Sequence, residues 1–230
     1  MAMATVALPN RVEWDRFLAW FPWEQGEHVT LLGHNGSGKT TLAKSILPIR
    51  NHTLVVATKP RDPNIDVFTK DGFRVTRTWP VDPAIYKKVV LWPKIDQPKD
   101  IVTQSETIGR CLTSVYRSGG WALYFDEVRY IADNLGLQEA LKLLWLQGRA
   151  LKLSILAGTQ RPAWIPREAY SEAAHLFLWR QTNRYDVKRL EEASNVDTKE
   201  IAPILRNLPK HDVLYINTRT GEVVRTRVDI

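Results

Sequence analysis

An α/β fold built on a mostly parallel sheet, covered by helices on both faces, is what this sequence predicts, and three observations predict it. Short apolar and β-branched runs alternate with helical periodicities along most of the chain. A glycine-rich loop of the pattern G-x-x-x-x-G-K-[ST] lies between one such run and the helix after it, at Gly33–Thr40. The apolar run Trp121–Phe125 ends in Asp126-Glu127; a buried strand delivers carboxylates in this way to the end of a sheet where ligands bind.

Each element can be justified in order. Trp14, Phe17, Leu18 and Phe21 recur at i, i+3, i+4, i+7 and predict a short helix with an aromatic core face. His28–Leu32 is a buried strand leading into the glycine loop, and Thr40–Leu47 is the helix after it, stopped by Pro48. Thr53–Thr58 is a second strand; Pro60, Pro63 and Pro80 break up the next stretch, which holds a strand at Phe73–Thr76. Val89–Trp92 is a further short strand. Ile101, Ile108, Leu112 and Val115 keep a helical period up to the loop Ser118-Gly119-Gly120. After the strand Trp121–Phe125, Leu137, Leu141 and Leu144 mark a helix ending near Arg149. Leu151–Ala157 and His175–Trp179 are strands; Tyr185–Ala193 and Thr198–Leu205 are helices. Val213–Asn217 and Val223–Val228 flank Thr220-Gly221 as a C-terminal β-hairpin.

The whole is expected to be one domain over residues 1–230, with a helical N-terminal extension (1–25) and the hairpin at 208–230. A chain of 230 residues buries a core without staples. Its 44% hydrophobic and 25% charged residues, with nine Trp, argue against wholesale disorder. No apolar run reaches the roughly 18 residues of a membrane span. The N-terminus lacks the charged and apolar regions of a signal peptide. The single Cys111 cannot form an internal disulfide, which fits a reducing compartment and a cytoplasmic location. The five His lack metal-ligand spacing. A net charge of +7 admits an anionic partner such as nucleic acid.

The loop Gly33-His34-Asn35-Gly36-Ser37-Gly38-Lys39-Thr40-Thr41 has a chemistry for each part. Glycines let successive backbone N–H groups face phosphate oxygens, and the helix start adds its positive end. Lys39 supplies a point charge to the outer phosphates of ATP, and the Thr40 hydroxyl is placed to ligate Mg²⁺. Asp126 would hold the same Mg²⁺ through water, and Glu127 would act as general base on the attacking water. An acidic pair after a strand also serves as a helix cap, but behind a phosphate loop the catalytic reading is preferred. Gln160, at the end of a third apolar run, is placed to touch the γ-phosphate or its water.

Gly148-Arg149-Ala150, the strand after it, and Thr159-Gln160-Arg161-Pro162 resemble the HerA–FtsK superfamily of DNA-pumping ATPases. Glu27–Leu32 and Leu208–Tyr215, with the basic strand Val224–Val228, are similar to that family's approach to the loop and its closing strands, so the resemblance spans about residues 24–228. The glycine that usually follows the arginine is replaced by Leu151 or Lys152. The resemblance implies a RecA-like sheet in which the Gln160 strand lies between the loop strand and the Asp126 strand. It implies a homo-oligomeric ring, hexamer or pentamer, in which Arg149 reaches the neighbouring subunit's site. The same arginine could simply offset a helix dipole.

Within that superfamily a bare motor of this size looks most like the genome-packaging ATPases of double-stranded DNA viruses. That implies duplex DNA as track, a portal or capsid vertex as dock, and the host cytoplasm as location. A cellular or plasmid-borne HerA/FtsK-like translocase, and a non-motor nucleotide switch in virion or secretion assembly, are the alternatives. An ABC-type ATPase is excluded by spacing: Ser118-Gly119-Gly120 abuts the Asp126 strand, leaving no room for a helix between signature and strand. Lys59, Arg61, Lys87, Lys88, Lys94 and Lys99 are candidate phosphate contacts for DNA, with an ordinary solvated surface as the plain reading. The Trp-rich N-terminal helix and the hairpin Val213–Val228 are candidate docking surfaces, or else core and sheet edge.

Overall fold

The computed structural model describes residues 8–161, 165–194 and 198–229; Pro162 and the first seven residues lie outside the described residues. The chain opens with β1 (Arg11–Val12), α1 (Trp14–Trp20), β2 (His28–Leu32), α2 (Lys39–Ile46), β3 (Thr53–Val56), α3 (Asn64–Lys70), β4 (Arg74–Thr76) and β5 (Lys88–Leu91). It continues with α4 (Ile101–Ser118), β6 (Ala122–Phe125), α5 (Gln138–Gln147), β7 (Ser154–Thr159), α6 (Glu168–Ser171) and β8 (Ala173–Leu178). It closes with α7 (Arg184–Ser194), α8 (Thr198–Asn207), β9 (Asp212–Asn217) and β10 (Val223–Arg227).

The strands form one sheet in the order β1-β10-β9-β8-β2-β7-β6-β3-β5-β4. From β8 to β4 every neighbouring pair is parallel. β9 runs antiparallel to both β8 and β10, as a C-terminal hairpin requires. The central strands are buried at every position, with no polar alternation, because helices cover both faces. Side chains along β3 divide accordingly. Leu54 and Val56 pack with Ile108 and Leu112 of α4 and Leu141 of α5, whereas Val55 packs with Leu42 of α2 and Phe68 of α3. β7 lies between β2 and β6, the order implied by the resemblance.

The structure departs from the sequence expectations at several joints. Pro63 does not break the chain but precedes α3, which buries Ile65 and Phe68 one turn apart; proline is tolerated where helical N–H groups have no partner anyway. Pro48 does stop the α-helix, as expected: α2 ends at Ile46, and the chain tightens into a 3₁₀ turn over Leu47–Ile49. β7 starts at Ser154 rather than Leu151, because residues 148–153 fold into a turn closed by Leu153 N–H on the Gly148 carbonyl (2.8 Å). The N-terminal segment carries an edge strand as well as a helix: β1 pairs with β10, and Thr226 Oγ1 donates to the Val12 carbonyl at 2.9 Å. Phe17 packs against Phe177 and Tyr215, so the aromatic face of α1 is core, with Trp20 left 44% exposed.

Candidate nucleotide site

The carboxyl ends of β2, β7, β6 and β3 converge on one cavity of about 360 Å³. The loop after β2 forms its first wall. Gly36 and Gly38 stand at φ of 71° and 110°, a region that side-chain-bearing residues resist, and Gly38 caps α2. Residues 34–36 form an exposed crest, and Lys39, the first residue of α2, is buried. Its ammonium donates to the carbonyls of Gly33 (2.7 Å) and His34 (3.1 Å). Burial pulls the Lys39 pKa below the usual lysine range, against the opposing pull of Asp126 and Glu127.

The second wall comes from β6. The four buried residues of that strand place Asp126 at its carboxyl end, where Oδ1 accepts from Thr40 Oγ1 (3.2 Å) and from the Tyr124 hydroxyl (2.7 Å). Oδ2 pairs with Lys59 Nζ at 3.0 Å. Burial would raise the Asp126 pKa, but the Lys59 charge and the Tyr124 hydrogen bond outweigh it and hold the carboxyl below its ordinary range. Glu127 goes the other way: burial raises its pKa despite the Gln160 hydrogen bond and the Lys39 charge. Two adjacent carboxylates pushed apart in this way suit one to hold a cation and the other to accept a proton.

The third wall is the end of β7. Gln160 Nε2 donates to Glu127 Oε2 at 3.2 Å. The contact depends on Gly158, where a Cβ atom would stand only 2.7 Å from the Asp126 carbonyl oxygen and 3.0 Å from that of Phe125. The loop is tied to the same strand by Gly33 N–H on the Thr159 carbonyl (3.1 Å).

Of the residues singled out in the sequence, Asn35, Gly36, Gly38, Lys39, Thr40, Thr41, Asp126, Glu127 and Gln160 line this cavity together. Arg149 is not among them. It sits exposed in the turn before β7, at the far end of that strand from Gln160, a separation of about 16 Å along the strand alone.

Lys59 and Asn64 line the cavity without having been singled out for it. Lys59, singled out only as a candidate DNA contact, lines this cavity, because β3 lies beside β6 and its carboxyl end opens on Asp126. Only the strand order could reveal that. Among the other basic residues, Lys88 folds back onto the Asp71 carbonyl (3.5 Å) and Lys94 pairs with Asp96 (2.5 Å).

Comparison with known proteins agrees with this geometry. The family model for the ABC transporter matches residues 20–54, which hold β2, the glycine loop, α2 and the start of β3. No helix separates Gly120 from β6, which begins two residues later. Among curated proteins none matches the sequence. Solved structures match along most of the chain. The genome packaging NTPase B204 of Sulfolobus turreted icosahedral virus 2 superposes with a TM-score of 0.65 at 14% identity, over 89% of this chain and 97% of that one. VirB4 of Thermoanaerobacter pseudethanolicus gives 0.63 at 9% identity, over 88% of this chain and 89% of that one. The cytoplasmic domain of the type VII secretion ATPase EccC of Thermomonospora curvata gives 0.56 at 13% identity, over 89% of this chain and 25% of that one. The chain has the fold of the P-loop ATPases, with a mostly parallel sheet flanked by helices.

Proposed function

We propose that this chain is a Mg²⁺-dependent ATP hydrolase that moves duplex DNA, and that its task is to drive a viral genome into a capsid. The observation that carries the proposal is the convergence of Lys39, Thr40, Asp126, Glu127 and Gln160 on one cavity at the carboxyl ends of parallel strands. The solved packaging NTPase, which this chain spans almost from end to end, has been captured with AMPPCP, which supports ATP as the nucleotide here.

The residues present fit Mg²⁺. The Thr40 hydroxyl and the Asp126 carboxylate, 3.2 Å apart, are hard oxygen donors, and Mg²⁺ needs few protein ligands because it keeps waters and phosphate oxygens. When bound, Mg²⁺ would neutralise charge on the outer phosphates. Lys39 would exchange the carbonyls of Gly33 and His34 for the β- and γ-phosphate oxygens, and the amides of the loop crest would wrap the same oxygens. Gln160 occupies Glu127 Oε2, leaving Oε1 to take the proton of the attacking water. The water oxygen then bonds to the γ-phosphorus, the bond to ADP breaks, and ADP and phosphate depart. Burial of Glu127 brings its proton affinity closer to that of a working base at neutral pH.

In this reading the motor is a homo-oligomeric ring of five or six subunits, and Arg149 acts in trans. The exposed position of Arg149, far from its own Lys39, supports that role. Duplex DNA is the track, the host cytoplasm the setting and a portal or capsid vertex the dock. No helix among the described residues is long and apolar enough to cross a membrane. The likeness to the type VII secretion ATPase EccC and to the pCW3 conjugation coupling protein TcpA favours a second reading, a translocase or nucleotide switch serving conjugation or secretion.

Phosphate release with and without linear duplex DNA tests the motor, and nuclease-protected DNA in empty particles tests packaging. Glu127→Gln should bind ATP yet hydrolyse it at least about 100-fold more slowly, the usual scale for losing a general base, and its particles should stay empty. Full turnover in Glu127→Gln overturns the catalytic assignment; DNA-filled particles overturn the packaging one.

A further inference from the structure

The turn between α5 and β7, residues 148–153, is tied down at its backbone and free at one side chain. Within the turn, Leu153 N–H donates to the Gly148 carbonyl (2.8 Å) and Lys152 N–H to the Arg149 carbonyl (3.1 Å). From one side the segment before β6 holds it, with Gly120 N–H on the Leu151 carbonyl at 3.0 Å. From the other side comes the segment before β2. Gln25 Nε2 donates to the Lys152 carbonyl at 2.7 Å and reaches the Trp121 carbonyl at 3.4 Å, so one amide ties the turn to the approach of β6. Gly26 N–H donates to Ser154 Oγ at 2.9 Å. Gly26 is also pressed against the turn: at its φ of 97°, a Cβ atom would lie 3.1 Å from the Arg149 carbonyl oxygen and 3.3 Å from the Arg149 Cα.

Two features set this clamp apart from an ordinary connection. Lys152, whose carbonyl Gln25 holds, stands at φ of 54°, one of two non-glycine residues in the left-handed region among those described. Side chains persist in that region only where their surroundings over-determine it. Arg149 itself is exposed, and its guanidinium has no hydrogen bond or ion pair among the described residues. A fixed backbone under a free cation suits a group whose target lies on another molecule, because placement in advance removes the ordering cost at the moment of reaction. The clamp also relates Arg149 to the nucleotide cavity of its own chain. β2 and β6 start beside the turn, flank β7 in parallel and end at the glycine loop and Asp126.

We propose that Gln25, seated by Gly26, is a positioning residue for Arg149: it holds the turn in the conformation that presents the guanidinium to the neighbouring subunit's nucleotide. The proposal rests on the reading of Arg149 as acting in trans and adds to it the residue that aims it.

The test is steady-state hydrolysis by the full chain, alone and in co-assembled mixtures. Gln25→Ala should lower kcat by about tenfold to 100-fold, the scale of a reacting group misplaced by about an ångström, and leave KM for ATP near the wild-type value. Its own Lys39, Thr40, Asp126 and Glu127 remain intact, whereas Glu127→Gln keeps an intact turn. Equal amounts of the two variants, assembled together, should therefore hydrolyse ATP well above the mean of the two alone, because sites form between an intact Glu127 and an intact neighbouring turn. Glu127→Gln mixed with Arg149→Ala is the control and should recover in the same way. If the control recovers nothing, action in trans falls, and this proposal with it. If the control recovers but Gln25→Ala turns over like wild type, or is slow and does not recover in the mixture, Arg149 acts in trans and Gln25 does not position it.

Discussion

Gly158→Ala adds a single methyl group where β7 passes the end of β6. The new Cβ would lie 2.7 Å from the Asp126 carbonyl oxygen and 3.0 Å from that of Phe125, both backbone atoms that cannot rotate away. Ordinary contact begins near 3.4 Å, so the strand ends must part by about 0.7 Å. Overpacking of this kind costs about 1–3 kcal/mol, which for a chain of this size lowers the melting temperature by about 2–12 °C. The effect on hydrolysis should be larger. Gln160 meets Glu127 at 3.2 Å, already near the limit of a useful hydrogen bond, and a displacement of this size removes it. Turnover should fall about 100-fold or more if Glu127 is the base. Nucleotide binding should largely survive, because Lys39 and Thr40 are carried by α2. Phosphate release, calorimetric nucleotide binding and thermal melting on the same sample check all three. Wild-type turnover with an unchanged melting temperature would refute the argument that Gly158 sets the spacing of the catalytic pair.

The remaining predictions concern charge. His28 is buried, with Nδ1 accepting from Ile155 N–H (3.1 Å) and Nε2 facing the Trp145 carbonyl (3.1 Å), and burial pulls its pKa from 6.5 to about 4. Above pH 6.5 both folded and unfolded forms are neutral; as pH falls from about 6.5 to 4 only the unfolded form gains a proton, so stability should drop by about 3 kcal/mol. Urea titrations across that range should show the drop in wild type, and His28→Gln should remove this component of it. Lys59→Met leaves the Asp126 carboxylate only the Thr40 and Tyr124 hydroxyls, and stability should fall by about 1 kcal/mol at neutral pH, since the half-exposed lysine is screened. Asp126 titrates below its ordinary range, so that difference should be full above about pH 4 and fade at lower pH as Asp126 takes a proton. Arg149→Ala, on an exposed turn, should keep its melting temperature and nucleotide affinity but lose hydrolysis by as much as about 1000-fold. Doped into wild-type subunits it should inactivate more than its own share of sites; strictly proportional loss argues against action in trans.

The parts of the site that were legible in the sequence are those made by neighbours along the chain. Gly33 to Thr41 declares itself because its chemistry lies in consecutive backbone amides and the first turn of one helix. Asp126 and Glu127 declare themselves because an uninterrupted apolar run must be a buried strand, and a buried strand ends where ligands bind. The alternation of strand and helix was enough for the fold class, since helices on both faces are what a wholly apolar parallel sheet needs.

Local signals were weakest where burial elsewhere decides the conformation. Prolines around position 60 read as breaks, yet α3 forms after Pro63 because Ile65 and Phe68 fill the face shared with Phe73 and Tyr124. The start of β7 could not be read from Leu151 onward, because the turn at 148–153 is set by its own hydrogen bonds and not by hydropathy. β1 has no sequence signature at all; its two residues become a strand only because β10 offers an edge.

The sequence by itself determined the loop, the acidic pair, the helical and strand periods and the excess of positive charge. The place of β7 between β2 and β6, which lets Gln160 meet Glu127, was implied by the resemblance and by no local pattern; tertiary structure alone decided that β3 lies beside β6, so that Lys59 meets Asp126, and that the start of β9 returns to the glycine loop, so that His211 and Trp179 share a cavity with Ser37. The physical reason is the same in each case. Periodicity tells a segment which of its faces to bury, whereas strand order and register follow from how distant apolar faces fill one another, and that information belongs to no single segment of the chain.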